Sequence, residues 1–273
     1  MTASSAPTTA PSTDLVITTH ERVRCLALHR PQSKNGLTIE VLQALLAALA
    51  DADRDETVRA VILTGRGESF CSGLDLKAAM TMMQSTGSDF RAANEARMRS
   101  TFHGTIRALQ SLTKPVIALV DGAAAGFGCD LALACDLRLG TARARFGEVF
   151  IKRGLMPDGG GTFLLPRIIG LGRALELMFL GDMIEAEEAL RLGVLNRIVA
   201  DEAEAVAYAQ RIAAGPPLVL NEVKRAVYAS LSRTFDAALE AEVEGQMRLL
   251  SSADFAEGVT AFFAKRPPEF QGK

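Results

Sequence analysis

The chain predicts an α/β fold continued by a helical C-terminal region. Two patterns carry that expectation. Up to about Arg173, short β-branched and aliphatic segments alternate with amphipathic helical ones, and beyond it helical segments follow one another almost without interruption. With 273 residues and 48% hydrophobic side chains, the chain is long and apolar enough to bury a full core.

Taken in order, Leu15 to Thr19 and Val23 to Leu28 read as a hairpin turning at His20-Glu21-Arg22. Thr38 is placed to cap a helix running to about Asp53, with Val41, Leu42, Leu45, Leu46 and Leu49 as its apolar face. A buried strand, Ala60 to Thr64, leads into the loop GRGESFCSGLDL, a Met-rich segment and a longer helix to about Gln110. Pro115 then introduces the strand Val116 to Val120, a helix Phe127 to Ala134 and a strand Leu137 to Leu139. Further helices are expected around Ala174 to Leu180, Ala186 to Leu192, Ala203 to Ala214, Val219 to Leu231, Phe235 to Leu249 and Phe255 to Ala264, with Asn196 to Val199 as a late strand. These divide the chain into a tail at 1–13, an α/β core at 14–200 and a helical region at 201–273.

Composition narrows the partners. The net charge is −2 and no long basic block occurs, so neither nucleic acid nor an anionic membrane is expected to bind. No apolar run approaches the roughly 20 residues that span a bilayer, and MTASSAPTTAPST lacks the basic start and apolar core of a secretion signal. A cytoplasmic, soluble protein with a disordered tail is expected. Cys25, Cys71, Cys129 and Cys135 match neither a metal pair nor a disulfide framework and read as reduced, mostly buried thiols. His20, His29 and His103 form no ligand motif and read as ordinary surface or core histidines, so no metal is expected.

Two GxG turns, at Gly65 and at Gly126, lack the third glycine and spacing of a dinucleotide fold. Both SFCSGLDL and AAAGFGCD nevertheless place glycine beside backbone donors at the end of a strand. If the N–H groups of Leu74 and Phe127 converge, they form an oxyanion hole; otherwise these are ordinary turns. Asp130, one helical turn beyond Phe127, either faces that site or complements the helix dipole. Asp158, in LMPDGGGT, reads locally as a helix N-cap or an Asx turn, and in a partly apolar loop also as a general acid and base. Met80, Met82, Met83 and Phe90 suit either core or an acyl pocket. Arg30 and Lys34, with Lys265 and Arg266, are candidate phosphate ligands on an otherwise solvated surface.

Together the segments HRPQSKNGL, AVILTGRGESFCSGLDL, KPVIALVDGAAAGFGCDLALACDLRL, FGEVFIKRGLMPDGGGTFLLPRIIG, EALRLGVLNRIV and FFAKRPPEFQG resemble the crotonase superfamily, the enoyl-CoA hydratase/isomerase family, in that family's order. The resemblance covers nearly the whole chain after the tail. It implies a crotonase-like spiral of ββα units, a C-terminal helical trimerisation region, homotrimers often paired into hexamers, and an acyl-CoA thioester as substrate, with no separate cofactor. It also implies that the thioester carbonyl lies between the N–H groups of Leu74 and Phe127, the second position normally being Gly. CoA contacts fall on Arg30, Lys34, Phe262 and Lys265, and an acyl pocket on Met80, Met83, Phe150 and Met156.

In hydratases of the family two Glu residues flank a water; their positions here hold Asp130 and Phe150, and Phe150 transfers no proton. Glu148 lies two residues earlier and would reach the site from an extended segment only with a shift in register. Asp158 matches the aspartate of some acyl-CoA isomerases, among them epoxyphenylacetyl-CoA and dienoyl-CoA isomerases, and of chlorobenzoyl-CoA dehalogenases, whose site otherwise differs at positions 130 and 150. The resemblance therefore favours isomerisation of an unsaturated acyl-CoA through an enolate, with Asp158 as acid and base and Asp130 in support. The competing expectations are a hydratase or lyase using Asp130 with Glu148 or Asp158, and a non-catalytic acyl-CoA binder. A peptidase is not expected, for want of a serine at the oxyanion turn and a placed histidine.

Overall fold

The computed structural model describes residues 14–86 and 90–273. Strands β1 (Leu15–His20) and β2 (Val23–Leu28) form the expected antiparallel hairpin, with Glu21 at φ 55° in its turn. Helix α1 (Ile39–Arg54) follows, its first turn capped by Thr38 Oγ1, which accepts from the Val41 N–H. After β3 (Ala60–Gly65), the Met-rich segment lies in α2 (Leu76–Thr86), and the longer helix expected to about Gln110 is formed by α3 (Phe90–Arg97) and α4 (His103–Ser111). A π-helical turn, Met98–Phe102, joins the last two.

The middle of the chain runs β4 (Val116–Val120), β5 (Ala123–Ala125), α5 (Phe127–Ala134), β6 (Leu137–Gly140) and β7 (Arg145–Gly147). A 3-10 turn (Val149–Arg153) precedes α6 (Gly161–Ile169) and α7 (Leu171–Leu180). Then come β8 (Ile184–Glu185), α8 (Ala186–Leu192), β9 (Arg197–Ile198) and α9 (Glu202–Ala213), and finally α10 (Pro217–Ser230), α11 (Phe235–Leu250) and α12 (Ala253–Ala264).

The main sheet has the order β1-β2-β3-β4-β6-β9, parallel from β2 onward; β5, β7 and β8 make a second, smaller sheet. The chain steps between the sheets in a repeating pattern. β4 lies in the first, β5 in the second, and α5 returns; β6 and β7 repeat the step. One turn earlier, Cys71 bridges Ala124 of β5 just after β3. The result is a spiral of strand-strand-helix units.

Parallel strands covered on both faces read as continuous apolar runs, and VIALV of β4 is buried at every position. On one face, Leu42, Leu45 and Leu49 of α1 meet Leu26, Leu28 and Leu63; on the other, Val206 and Ala209 of α9 meet Cys25, Ile62 and Ile117. All four cysteines are buried and unpaired. Helix α10 is fastened by polar contacts: Lys224 Nζ lies 2.9 Å from Asp136 Oδ2 and donates to the carbonyls of Leu109 and Lys114, and Tyr228 Oη donates to Asp136 Oδ1. Among the described residues no helix is long and apolar enough to cross a membrane. The tail at 1–13 lies outside the described residues.

Candidate active site

The site grows from two strand-to-loop junctions. Past β3, Cys71 N–H donates to Ala123 O and Cys71 O accepts from Ala125 N–H, so this loop runs beside β5. Gly73, at φ 90°, then turns the chain; its carbonyl accepts from Leu37 N–H, and Leu37 O accepts from Asp75 N–H. Leu74 N–H, between them, has no acceptor among the described residues. At the second junction Gly126, at φ 54°, precedes α5, so Phe127 is a first-turn residue whose N–H has no partner inside the helix.

Close packing brings the junctions together. A Cβ on Gly73 would sit 2.9 Å from Ala125 O and 3.4 Å from Phe127 N, and one on Gly128 only 2.3 Å from Cys71 O. Both junctions open onto one cavity of about 410 Å³, which is lined by Leu74, Phe127, Phe150 and Asp158 among others. The Phe127 side chain is absorbed by packing: its ring is buried and meets Phe102 edge to face, with centroids 5.3 Å apart and planes at 84°. Phe150 also lines the cavity, its ring 3.7 Å from where a Cβ on Gly126 would stand.

Asp158 and Asp75 line this cavity. Asp75 is occupied, ion-paired to Arg30 and accepting from the N–H groups of Lys77 and Ala78 at the start of α2. Asp158 Oδ1 has no hydrogen-bond partner. The local expectation that Asp158 caps the next helix is corrected, because α6 begins at Gly161 behind Gly160 with no side-chain cap. Burial raises the Asp158 carboxyl above its ordinary value, against a lowering by the charge of His103.

Asp130 does not line the cavity. It is fully buried, and its Oδ2 accepts from the Gly159 N–H at 2.9 Å. Glu148 is buried beside it. A Cβ on Gly161 would lie 2.3 Å from Asp130 Oδ1 and 2.9 Å from Glu148 Oε1, so both carboxyls press against the same glycine turn. Neither Glu148 oxygen has a hydrogen bond of ordinary geometry. Burial pushes both groups up, each nearby carboxylate adding to the rise in Glu148 and Asp158 to that in Asp130. The idea that Glu148 and Phe150 share a direction on an extended segment is corrected: Glu148 directly precedes the 3-10 turn, and while Phe150 meets the cavity, Glu148 enters the core.

Other expected pocket and CoA residues are scattered. Met80 and Met156 are exposed and do not line the cavity, and the Met83 and Phe90 side chains lie outside the described residues. Leu76, Phe102, Val149 and Leu155 supply apolar lining instead. Arg30 is held by Asp14, Asp75 and the Gly36 carbonyl. Lys34, at φ 53°, ends the short 3-10 turn whose Gln32 and Ser33 reach the cavity. Phe262 lines a separate apolar cavity of about 520 Å³ between α10, α11 and α12, and Lys265 ends α12 at φ 52°. One neighbour of the site carried no sequence signal: His103 Nε2 lies 2.9 Å from the carbonyl oxygen of Asp158, 55 residues away.

Comparison with known proteins places nearly the whole chain in one family. Residues 18–273 fit the model of the enoyl-CoA hydratase/isomerase family. Over 254 residues the chain is 38% identical to the 1,2-epoxyphenylacetyl-CoA isomerase of Escherichia coli, covering 92% of this chain and 95% of that one. It is 33% identical over 260 residues to the short-chain-enoyl-CoA hydratase of Clostridium acetobutylicum, covering 94% and 97%. The crystal structure of an enoyl-CoA hydratase from Bacillus anthracis superposes with a TM-score of 0.89 at 31% identity, over 96% of this chain and all of that one. With the fold and these similarities in agreement, the chain belongs to the enoyl-CoA hydratase/isomerase family.

Proposed function

We propose that this protein isomerises an unsaturated acyl-CoA thioester through an enolate, with Asp158 as the acid and base. The observation that carries the reading is that Asp158 is, among the described residues, the cavity-lining carboxyl with an oxygen left unpartnered. The thioester oxygen accepts from the N–H groups of Leu74 and Phe127, where fixed dipoles meet charge as it develops. Asp158 takes a proton from the acyl carbon, the C–H electron pair passes into the enolate, and the double bond moves as the same carboxyl returns the proton at another carbon. A carboxyl raised by burial is the better proton carrier near neutrality. Phe150 and Leu155 give the acyl group apolar walls, and Asp130 supports from behind the glycine turn.

The rest of the reading follows the family. CoA enters as part of the substrate, no further cofactor is needed, and the protein works in the cytoplasm as a homotrimer or a hexamer. Apolar stripes favour such assembly: Val223 and Val227 on α10, and Phe235, Leu239, Val243 and Met247 on α11, are all exposed in one chain.

Mass-neutral conversion in a panel of enoyl- and dienoyl-CoA thioesters is the expected result, and Asp158→Asn should lower kcat by about 10²–10⁴. Full turnover by Asp158→Asn would remove the assignment. Addition of water would favour a hydratase or lyase using Asp130 with Glu148 or Asp158, and binding without conversion a non-catalytic acyl-CoA binder.

A further inference from the structure

The peptide unit between Asp158 and Gly159 is gripped from both sides. Its N–H donates to Asp130 Oδ2 at 2.9 Å, and its carbonyl oxygen lies 2.9 Å from His103 Nε2. A carbonyl only accepts, so the imidazole holds its hydrogen on Nε2. We infer that His103 is a positioning residue, which together with Asp130 fixes the plane of this peptide and so aims the Asp158 carboxyl into the cavity.

The surrounding geometry fits that role. The turn it steadies is rich in glycine, with Gly159, Gly160 and Gly161 in succession and Gly160 at φ 95°, so the chain itself does little to fix its own direction. His103 opens α4 immediately after the π-helical turn Met98–Phe102, a rare local widening of the kind found near functional sites. That turn also delivers Phe102 to the ring of Phe127, whose backbone is one of the two oxyanion donors. A single segment thus touches the oxyanion side through Phe102 and the acid side through His103. The Phe127 ring also comes within 2.8 Å of where a Cβ on Gly159 would stand, closing a loop of contacts from donor to acid.

This inference rests on Asp158 being the proton carrier, and its test separates the two ideas. Gly159 amide exchange, followed by NMR, needs no substrate. In His103→Leu that amide should exchange at least about 10-fold faster than in the wild type, because the carbonyl on the same peptide has lost its donor. His103→Gln, whose amide nitrogen can reach the same carbonyl, should restore protection. With the thioester turned over fastest by the wild type, His103→Leu should lower kcat about 10- to 100-fold with KM within about twofold, since misplacement of a reacting group costs rate rather than binding. His103→Gln should recover most of it. Unchanged Gly159 exchange in His103→Leu would overturn the grip itself, and lost protection with undiminished kcat would overturn its role in aiming Asp158. A wild type that converts no thioester would sink the proposed function, while the exchange data would still decide whether the grip exists.

Discussion

Glu148 and Phe150 are separated by one residue and end in opposite surroundings, a buried acid pair and an apolar cavity wall. The cost of the buried pair should be visible as a dependence on pH. In the folded chain burial, above all, keeps Glu148 protonated well above the ordinary glutamate range, while the unfolded chain releases that proton within that range. Between those two titrations the folded state binds more protons, so stability falls as pH rises. Glu148→Gln removes the titration. It should leave Tm little changed near pH 4 and raise it by about 2–6 °C at pH 8, as read by calorimetry across that range. A Tm gap that is the same at both ends would show that Glu148 does not titrate in this way. Gly161→Ala tests the same crowding from the other side, because its Cβ would meet Asp130 Oδ1 at 2.3 Å. A loss of about 2–4 kcal/mol in urea unfolding is expected. At this scale the sequence displays residue types but not their destinations: motif order pointed to Leu74, Phe127 and Asp158, which line one cavity, whereas His103 and the inward turn of Glu148 depend on contacts distant in the chain.

Among the elements, the long ones were legible because periodicity sums over several turns. Helix α1, with its Thr38 cap, and helices α8 to α12 fall within a few residues of expectation. The smaller sheet was not, since β5 and β7 are three residues each and β8 is two, too short for any alternation to register. The division between α3 and α4 was also hidden, because a π-helical turn keeps the composition of a helix and changes only its winding. The attachment of α10 is the element whose loss should cost most. Lys224 is buried against Asp136, which also accepts from Tyr228 Oη and the Val116 N–H. Lys224→Met leaves that carboxylate without its cation and should destabilise the fold by about 3–5 kcal/mol, measurable by denaturant titration; a change below about 1 kcal/mol would place the pair with ordinary surface bridges.

Over the whole molecule, the spiral is what turns two sequence-distant loops into one site. The two loops lie past the adjoining parallel strands β3 and β4, and the glycine contacts between them leave no room for a side chain to hold them apart. Assembly belongs to this scale as well. If the stripes on α10 and α11 are covered by other copies, Val243→Glu should lower the sedimenting mass toward that of one chain, with far-UV dichroism retained; an unchanged mass would move the interface elsewhere. The paired donors have one more consequence. If the thioester is held by the amide hydrogens of Leu74 and Phe127, which do not ionise in any range where the protein is folded, the half of the site that polarises the substrate is silent to pH. Curvature in a plot of log kcat/KM against pH is then left to the titratable side chains around the Gly159 turn, His103 among them, and it can be dissected by changing them one at a time while the polarising half stays constant.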